Sequence, residues 1–179
     1  MGRNVEIITD DKGKKLVKIN AIRFKGKRGV DWNDVEEYLR QFIGDIYKIA
    51  DGNELVYIGN DLPDEYAHSK YTRMLKGTVA KAKANASQGI PEMVDIAIDK
   101  SAEKNRKPKH SKEAMHGWYR YNSRFALPVF AENGTIERYN VFRATMLMRH
   151  ANNGKVYLYD VTEIKKETDT LFGSEDLTQ

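Results

Sequence analysis

A chain of 179 residues with 40% hydrophobic and 31% charged residues holds enough apolar side chains for one core, so neither a multidomain assembly nor a wholly disordered chain is expected. Thirty Lys and Arg against 26 Asp and Glu leave a net charge of +4, mildly basic, which permits a nucleic-acid partner without demanding one. The absence of cysteine excludes disulfide scaffolds, zinc ribbons, iron–sulfur clusters and thiol nucleophiles, and suits a reducing cytoplasm.

The N-terminus lacks an apolar signal core, and no apolar run approaches the roughly 20 residues of a membrane helix, so a soluble, unexported chain is expected. Apolar runs at 5–8 and 16–24 bracket the turn Asp10-Asp11-Lys12-Gly13 and predict a β-hairpin. Asp31 is placed to cap a helix in which Val35, Tyr38, Leu39 and Phe42 recur at helical spacing, ending near Gly44. Ile46, Ile49 and the run 55–58 flank Asp51-Gly52-Asn53 and suit a second hairpin.

From Asp64 the pattern is helical. Met74, Leu75, Val79, Ala82 and Ala86 trace one apolar stripe, with Arg73, Lys76 and Lys83 on a neighbouring flank. Gly89 stops that helix and Pro91 opens another, reaching about Asp99. A basic loop follows: Lys100, Lys104, Arg106, Lys107, Lys109, Lys112, Arg120 and Arg124 face only Glu103 and Glu113 between 100 and 124.

The last third reads as three β-runs, 118–130, 136–149 and 155–161, separated by Glu132-Asn133-Gly134 and Asn152-Asn153-Gly154. Two Asn-Gly turns predict an antiparallel meander. Residues 163–168 form a charged exit and 169–179 a polar tail. The predicted class is α+β: an N-terminal β-hairpin and helix, then helices packed on a C-terminal antiparallel meander. The expected division is 1–62 for the hairpin, helix and hairpin, 63–168 for the helices and sheet, and 169–179 for the tail. A helix lying across the sheet would bury Met74, Leu75, Val79, Met93, Val94, Phe125, Leu127 and Leu147.

No Walker-type loop, Rossmann glycine triplet or His-Glu-x-x-His occurs, and the acidic residues are scattered, so metal-free chemistry with no cofactor is expected. Period 2 sets Tyr119, Tyr121, Phe125, Leu127 and Val129 against Arg120, Asn122 and Arg124. The second strand adds Arg143, Thr145 and Arg149 on one side, and the third sets Tyr157 and Tyr159 opposite Leu158 and Asp160. A sheet surface rich in Arg, Tyr and His suits RNA.

Metal-independent RNA cleavage needs a base for the 2′-OH proton, a cation for the charged phosphorane and an acid for the leaving 5′-oxygen. His116, Arg120, Arg124, Tyr121 and Tyr159 include those types and are the candidate catalytic residues. Arg73, Lys76, Lys83, Lys107, Lys109, Lys112, Arg143, Arg149 and Lys165 are the candidate RNA-binding residues. Taken singly, most histidines are structural and most strand tyrosines are core or cross-strand pairs.

The strings Tyr71-Thr72-Arg73-Met74-Leu75-Lys76-Gly77, Ala80-Lys81-Ala82-Lys83-Ala84-Asn85-Ala86-Ser87, Gly117-Trp118-Tyr119-Arg120-Tyr121, Gly154-Lys155-Val156-Tyr157-Leu158-Tyr159-Asp160 and Ile164-Lys165-Lys166-Glu167-Thr168 resemble a domain of large polyvalent proteins of phages and conjugative elements of Gram-positive bacteria. Domains of that kind are grouped with the barnase/EndoU/colicin/RelE-like nucleases, and the resemblance implies helices followed by an antiparallel sheet that cuts RNA without metal. It marks Tyr71, Lys76, Lys83, Arg120, Arg124, Arg149, Tyr159 and Lys165 as polar positions of interest.

As a stand-alone chain it resembles an anti-CRISPR protein of a mobile element. The implied partners are a type II RNA-guided effector and its guide RNA, in the cytoplasm of a bacterial host, with the RNA cleaved or its channel occupied. Asp45, Asp51, Glu54, Asp61, Asp64 and Glu65 would then offer an acidic docking surface. A general RNase toxin or processing enzyme, and a catalytically inactive protein- or RNA-binding module, are the alternatives.

Overall fold

The computed structural model describes residues 3–26, 29–110, 114–168 and 172–173. Its elements are α+β. An N-terminal hairpin, β1 (Val5–Thr9) and β2 (Lys15–Ile19), precedes helix α1 (Trp32–Leu39) and a second hairpin, β3 (Ile46–Lys48) and β4 (Leu55–Tyr57). Helices α2 (Leu62–His68), α3 (Lys70–Met74), α4 (Gly77–Ala86) and α5 (Ile90–Asp95) lead to strand β5 (Ile98–Glu103). The long strands β6 (Trp118–Phe130), β7 (Ile136–His150) and β8 (Val156–Lys166) form the antiparallel meander, and β9 (Phe172–Gly173) adds a short pairing to β7.

All nine strands among the described residues join one sheet in the order β1-β2-β6-β7-β8-β4-β3, with β5 on β6 and β9 on β7. The two N-terminal hairpins flank the meander through parallel pairings, β2 on β6 and β4 on β8. Residues 1–62 and 63–168 are therefore stitched together by backbone hydrogen bonds at both edges of the meander. The tail predicted for 169–179 lies outside the described residues apart from Phe172 and Gly173.

Local chemistry explains the elements. The Asp31 carboxylate accepts from the Asn33 amide at 3.1 Å and caps α1, whose Val35 and Leu39, one turn apart, are buried. Gly44, at φ +92°, supplies the left-handed turn that ends this segment. One core receives Val35 and Leu39, Leu62 and Tyr66, Ile90, Met93 and Val94, and the inward residues Tyr121, Phe125, Leu127, Phe142, Met146, Met148 and Leu158. Phe125 and Phe142 stack with centroids 5.2 Å apart, worth about 1 kcal/mol beyond the area they bury. A smaller apolar cluster, Ile8, Leu16, Ala126, Tyr139 and Val141, packs beside it.

Three expectations change. The continuous helix expected from Asp64 is three short helices. Ser69 is extended (φ −63°, ψ 163°) and its hydroxyl accepts from the Thr72 amide at 3.2 Å, ending α2 and capping α3, while Gly77 at φ +60° separates α3 from α4. This break leaves Met74 71% exposed instead of in the core. The helix predicted to reach Asp99 stops at Asp95, and Ile98–Glu103, expected as helix end and loop, pairs as β5 with the edge of β6. Leu147 faces away from the core, half-buried on the other side of the sheet, because it alternates with Met146 and Met148.

Candidate functional site

The first residues of β6, the last of β7 and the first of β8 meet at one end of the sheet, with Trp118 opposite Arg149 and Arg149 opposite Tyr157. His116 and His150 are tied there by backbone geometry: the His116 amide donates to the His150 carbonyl at 2.9 Å, and the His150 amide donates to the Gly117 carbonyl at 2.9 Å. Their rings lie 4.9 Å apart, centre to centre. The Tyr119 hydroxyl sits 3.0 Å from His150 Nδ1, and the Lys100 ammonium lies 4.0 Å from the Tyr119 ring centre.

Lys100 is held by Glu54 of the second hairpin at 2.9 Å. Burial pulls its ammonium down, but the hydrogen bond to Glu54 and the neighbouring tyrosines outweigh that and raise it. Two imidazoles, a phenol and a persistent cation are thus gathered where β6 begins and β7 ends, with Lys100 brought in from β5 and Glu54 from the turn before β4. These are the residue types that move protons and stabilise a developing phosphorane charge without a metal.

The sheet face turned away from the helices carries aromatic rings at the same end. Trp118 and Tyr159 are 5.0 Å apart edge to face, and His110 meets both, at 5.3 and 6.0 Å. The basic segment 104–110 is laid against this cluster: Asn105 accepts from Trp118 Nε1 at 3.3 Å and from the Lys107 amide at 3.2 Å. The guanidinium of Arg149 lies 4.1 Å from the Tyr157 ring centre and donates to Asp61 at 3.1 Å. Stacking surfaces beside Lys104, Arg106, Lys107 and Lys109, all exposed, match what single-stranded nucleic acid requires.

The remaining sequence candidates divide. Arg120 is half-exposed and paired to Glu103 at 2.6 Å. Arg124 is clamped between Asp10 (3.0 Å) and Glu167 (2.8 Å). It lies in register with Arg143, and Arg143 with Lys165, which puts three cations on one rung across β6, β7 and β8. That rung lines a polar groove of about 840 Å³, where the Glu163 carboxylate accepts from Thr145 at 2.7 Å and Asp99 from Asn122 at 3.0 Å. Asp99 and Glu163 both hold positive φ, 59° and 50°.

Tyr121 is 2% exposed. Its ring is part of the core, burial raises its hydroxyl above the ordinary phenol range, and that hydroxyl is a neighbour of the Lys100 ammonium. Arg73 and Lys76 are exposed at the junction of α3 and α4. Lys112 lies outside the described residues.

Lys83 needs correction as a surface cation: it is fully buried. Its ammonium donates to Asp160 Oδ1 and to Thr72 Oγ1, both at 2.6 Å, and lies 4.7 and 5.0 Å from the Tyr66 and Tyr71 ring centres. Asp160 also accepts from Ser69 Oγ at 2.9 Å and from the Val161 amide at 2.8 Å. Burial pushes the Asp160 carboxyl up and the Lys83 ammonium down, each opposed by the attraction of the other. The pair fastens α3 and α4 to β8. The sequence did carry a signal, since Ala80, Ala82, Ala84 and Ala86 flank Lys83 on its own side of the helix, the mark of close packing.

Of the six acidic residues expected to form a docking surface, Glu54 is held by Lys100, Asp61 by Arg149, and Asp45 accepts from the Tyr47 hydroxyl at 2.8 Å. Three of them therefore serve contacts within the chain.

Gly117 joins the histidine turn to β6 at φ +97°, and a Cβ there would lie 2.4 Å from the Glu103 carbonyl oxygen. Gly117→Ala is expected to destabilise the protein by about 1–3 kcal/mol through this clash and the left-handed backbone. A urea melt reads the loss, and a midpoint equal to wild type would contradict it.

No family model, no curated protein and no solved structure matches the chain. Among the described residues, no helix is long and apolar enough to cross a membrane.

Proposed function

We propose that the chain is a metal-independent endoribonuclease that takes single-stranded RNA across this end of the sheet. The observation that carries the reading is the His116–His150 pair, fixed by two backbone hydrogen bonds and bordered by Tyr119 and Lys100.

In the proposed step, one imidazole takes the 2′-OH proton and the 2′-oxygen attacks phosphorus. As the P–O5′ bond breaks, the other imidazolium delivers its proton to the 5′-oxygen, leaving a 2′,3′-cyclic phosphate and a 5′-hydroxyl. The Lys100 ammonium offsets the charge gathering on the phosphorane. Trp118, Tyr159 and His110 stack the bases, and Lys107, Lys109 and Arg149 face the backbone.

The same proposal takes the guide RNA of a type II effector as the cellular target, the expectation that the sequence strings raise. The test is cleavage of labelled RNA in EDTA, with guide RNA free, guide RNA bound to the effector and an unrelated single strand as substrates. Cyclic-phosphate products from the guide and not from the unrelated strand support both class and target, and equal cleavage of free guide and unrelated strand supports a general RNase. Tight binding with intact RNA would instead select an inactive binding module, a reading favoured by the ion pairs that already occupy Arg120 and Arg124.

A further inference from the structure

We propose that α1 and α2 together hold a site for a first-row divalent ion such as Zn²⁺, with Glu36, Asp64 and His68 as its ligands. Asp64 and His68 are one turn apart, four residues along α2, so they share a face. Glu36 faces them from α1, and its Oε1 lies 3.0 Å from His68 Nε2. One ligand atom from each of the three residues falls within 4.8 Å of the others, the one such cluster among the described residues.

The spacing fits a metal. Nitrogen and oxygen ligands at about 2.0–2.2 Å in tetrahedral geometry stand roughly 3.3–3.5 Å apart. The Glu36–His68 contact has to open by only a few tenths of an ångström, and Asp64 has to close by a rotamer adjustment at an exposed position.

Charge points the same way. Two carboxylates this close repel, and among the described residues Asp64 forms no ion pair. Arg40 reaches only the other Glu36 oxygen, at 3.3 Å, and is shared with Glu37 at 3.2 Å. A divalent ion between the carboxylates removes that repulsion.

An imidazole with two carboxylates favours zinc or cobalt over magnesium, which prefers all-oxygen octahedral shells. Three protein ligands leave a position for water, and His68 and Glu36, at 37% and 21% side-chain exposure, leave an entry path. The role assigned is a pin between α1 and α2. The adjoining Ser69 and Asp61 fasten α2 to Asp160 and Arg149 of the sheet. The site is built from residues other than the histidine pair and does not depend on the ribonuclease reading.

The test uses the full chain carrying His116→Ala and His150→Ala, so that the other paired imidazoles cannot contribute. After EDTA and dialysis, Zn²⁺ is titrated by calorimetry and Co²⁺ by visible absorption. One saturable site per chain is expected, with a thermal midpoint that rises with Zn²⁺ concentration and no response to Mg²⁺. Asp64→Asn or His68→Ala in that background is expected to weaken Zn²⁺ by about tenfold or more. Circular dichroism confirms that each variant is folded. No saturable binding, or an unchanged affinity in both folded variants, overturns the proposal.

Discussion

Replacing Asp160 with Asn is expected to lower the thermal midpoint by roughly 10 °C. The substitution removes the charge that meets Lys83 at 2.6 Å inside the protein, and breaking a buried pair from one side costs about 3–5 kcal/mol. For a domain of this size each kcal/mol is worth about 2–4 °C. Lys83→Met is expected to cost a similar amount, because the Asp160 carboxylate keeps only Ser69 and the Val161 amide.

The double variant Lys83→Met with Asp160→Leu separates a paired from an unpaired charge. Replacing both partners by apolar groups is often neutral or stabilising, so it is expected to recover most of the loss of either single change. Thermal melts of the three variants decide. Single variants within about 2 °C of wild type would mean that the pair is not sealed from water.

This pair also marks where the sequence ceased to be legible. Turn chemistry and periodicity placed both hairpins, α1 with its Asp31 cap and the three strands of the meander, because those features act over a few residues. The break at Ser69 is tied to Asp160, 91 residues away in sequence, which accepts from the hydroxyl that caps α3. A helical stripe drawn from residue 64 onward cannot register such a partner, and for Lys83 only the flanking alanines hint at burial.

The strand at Ile98–Glu103 was hidden in another way. Every one of its residues is exposed, so no alternation of apolar and polar residues betrays it, and the unpaired edge of β6 is what recruits it. The candidate site shows the same division. Residue type marks His116, and residue type with strand position marks Arg149 and Tyr159, all three of which lie at the same end of the sheet, whereas Arg120 is turned to Glu103. His150 carries no local signal. It becomes a partner of His116 only when β6 and β7 pair, with the Tyr119 hydroxyl then meeting its Nδ1.

The pairing of His116 with His150 sets the second large expectation. If the two imidazoles exchange protons with RNA, His116→Ala and His150→Ala are each expected to lower kcat by about 10²–10⁴ with little change in binding. The double variant is expected to lose far less than the product of the two, because the residues act as a unit. Each single change is expected to remove one limb of a bell-shaped pH–rate profile.

Tyr119→Phe isolates positioning from proton transfer. It removes the hydroxyl 3.0 Å from His150 Nδ1 and leaves the ring under Lys100, so it is expected to move one limb of the profile with KM nearly unchanged. Single-turnover cleavage of a short labelled RNA in EDTA across the pH range compares the four variants with wild type. Rates in both histidine variants equal to wild type would place any chemistry elsewhere. The polar groove is then the site to probe, because it puts the Glu163 carboxylate near Arg143 and Lys165.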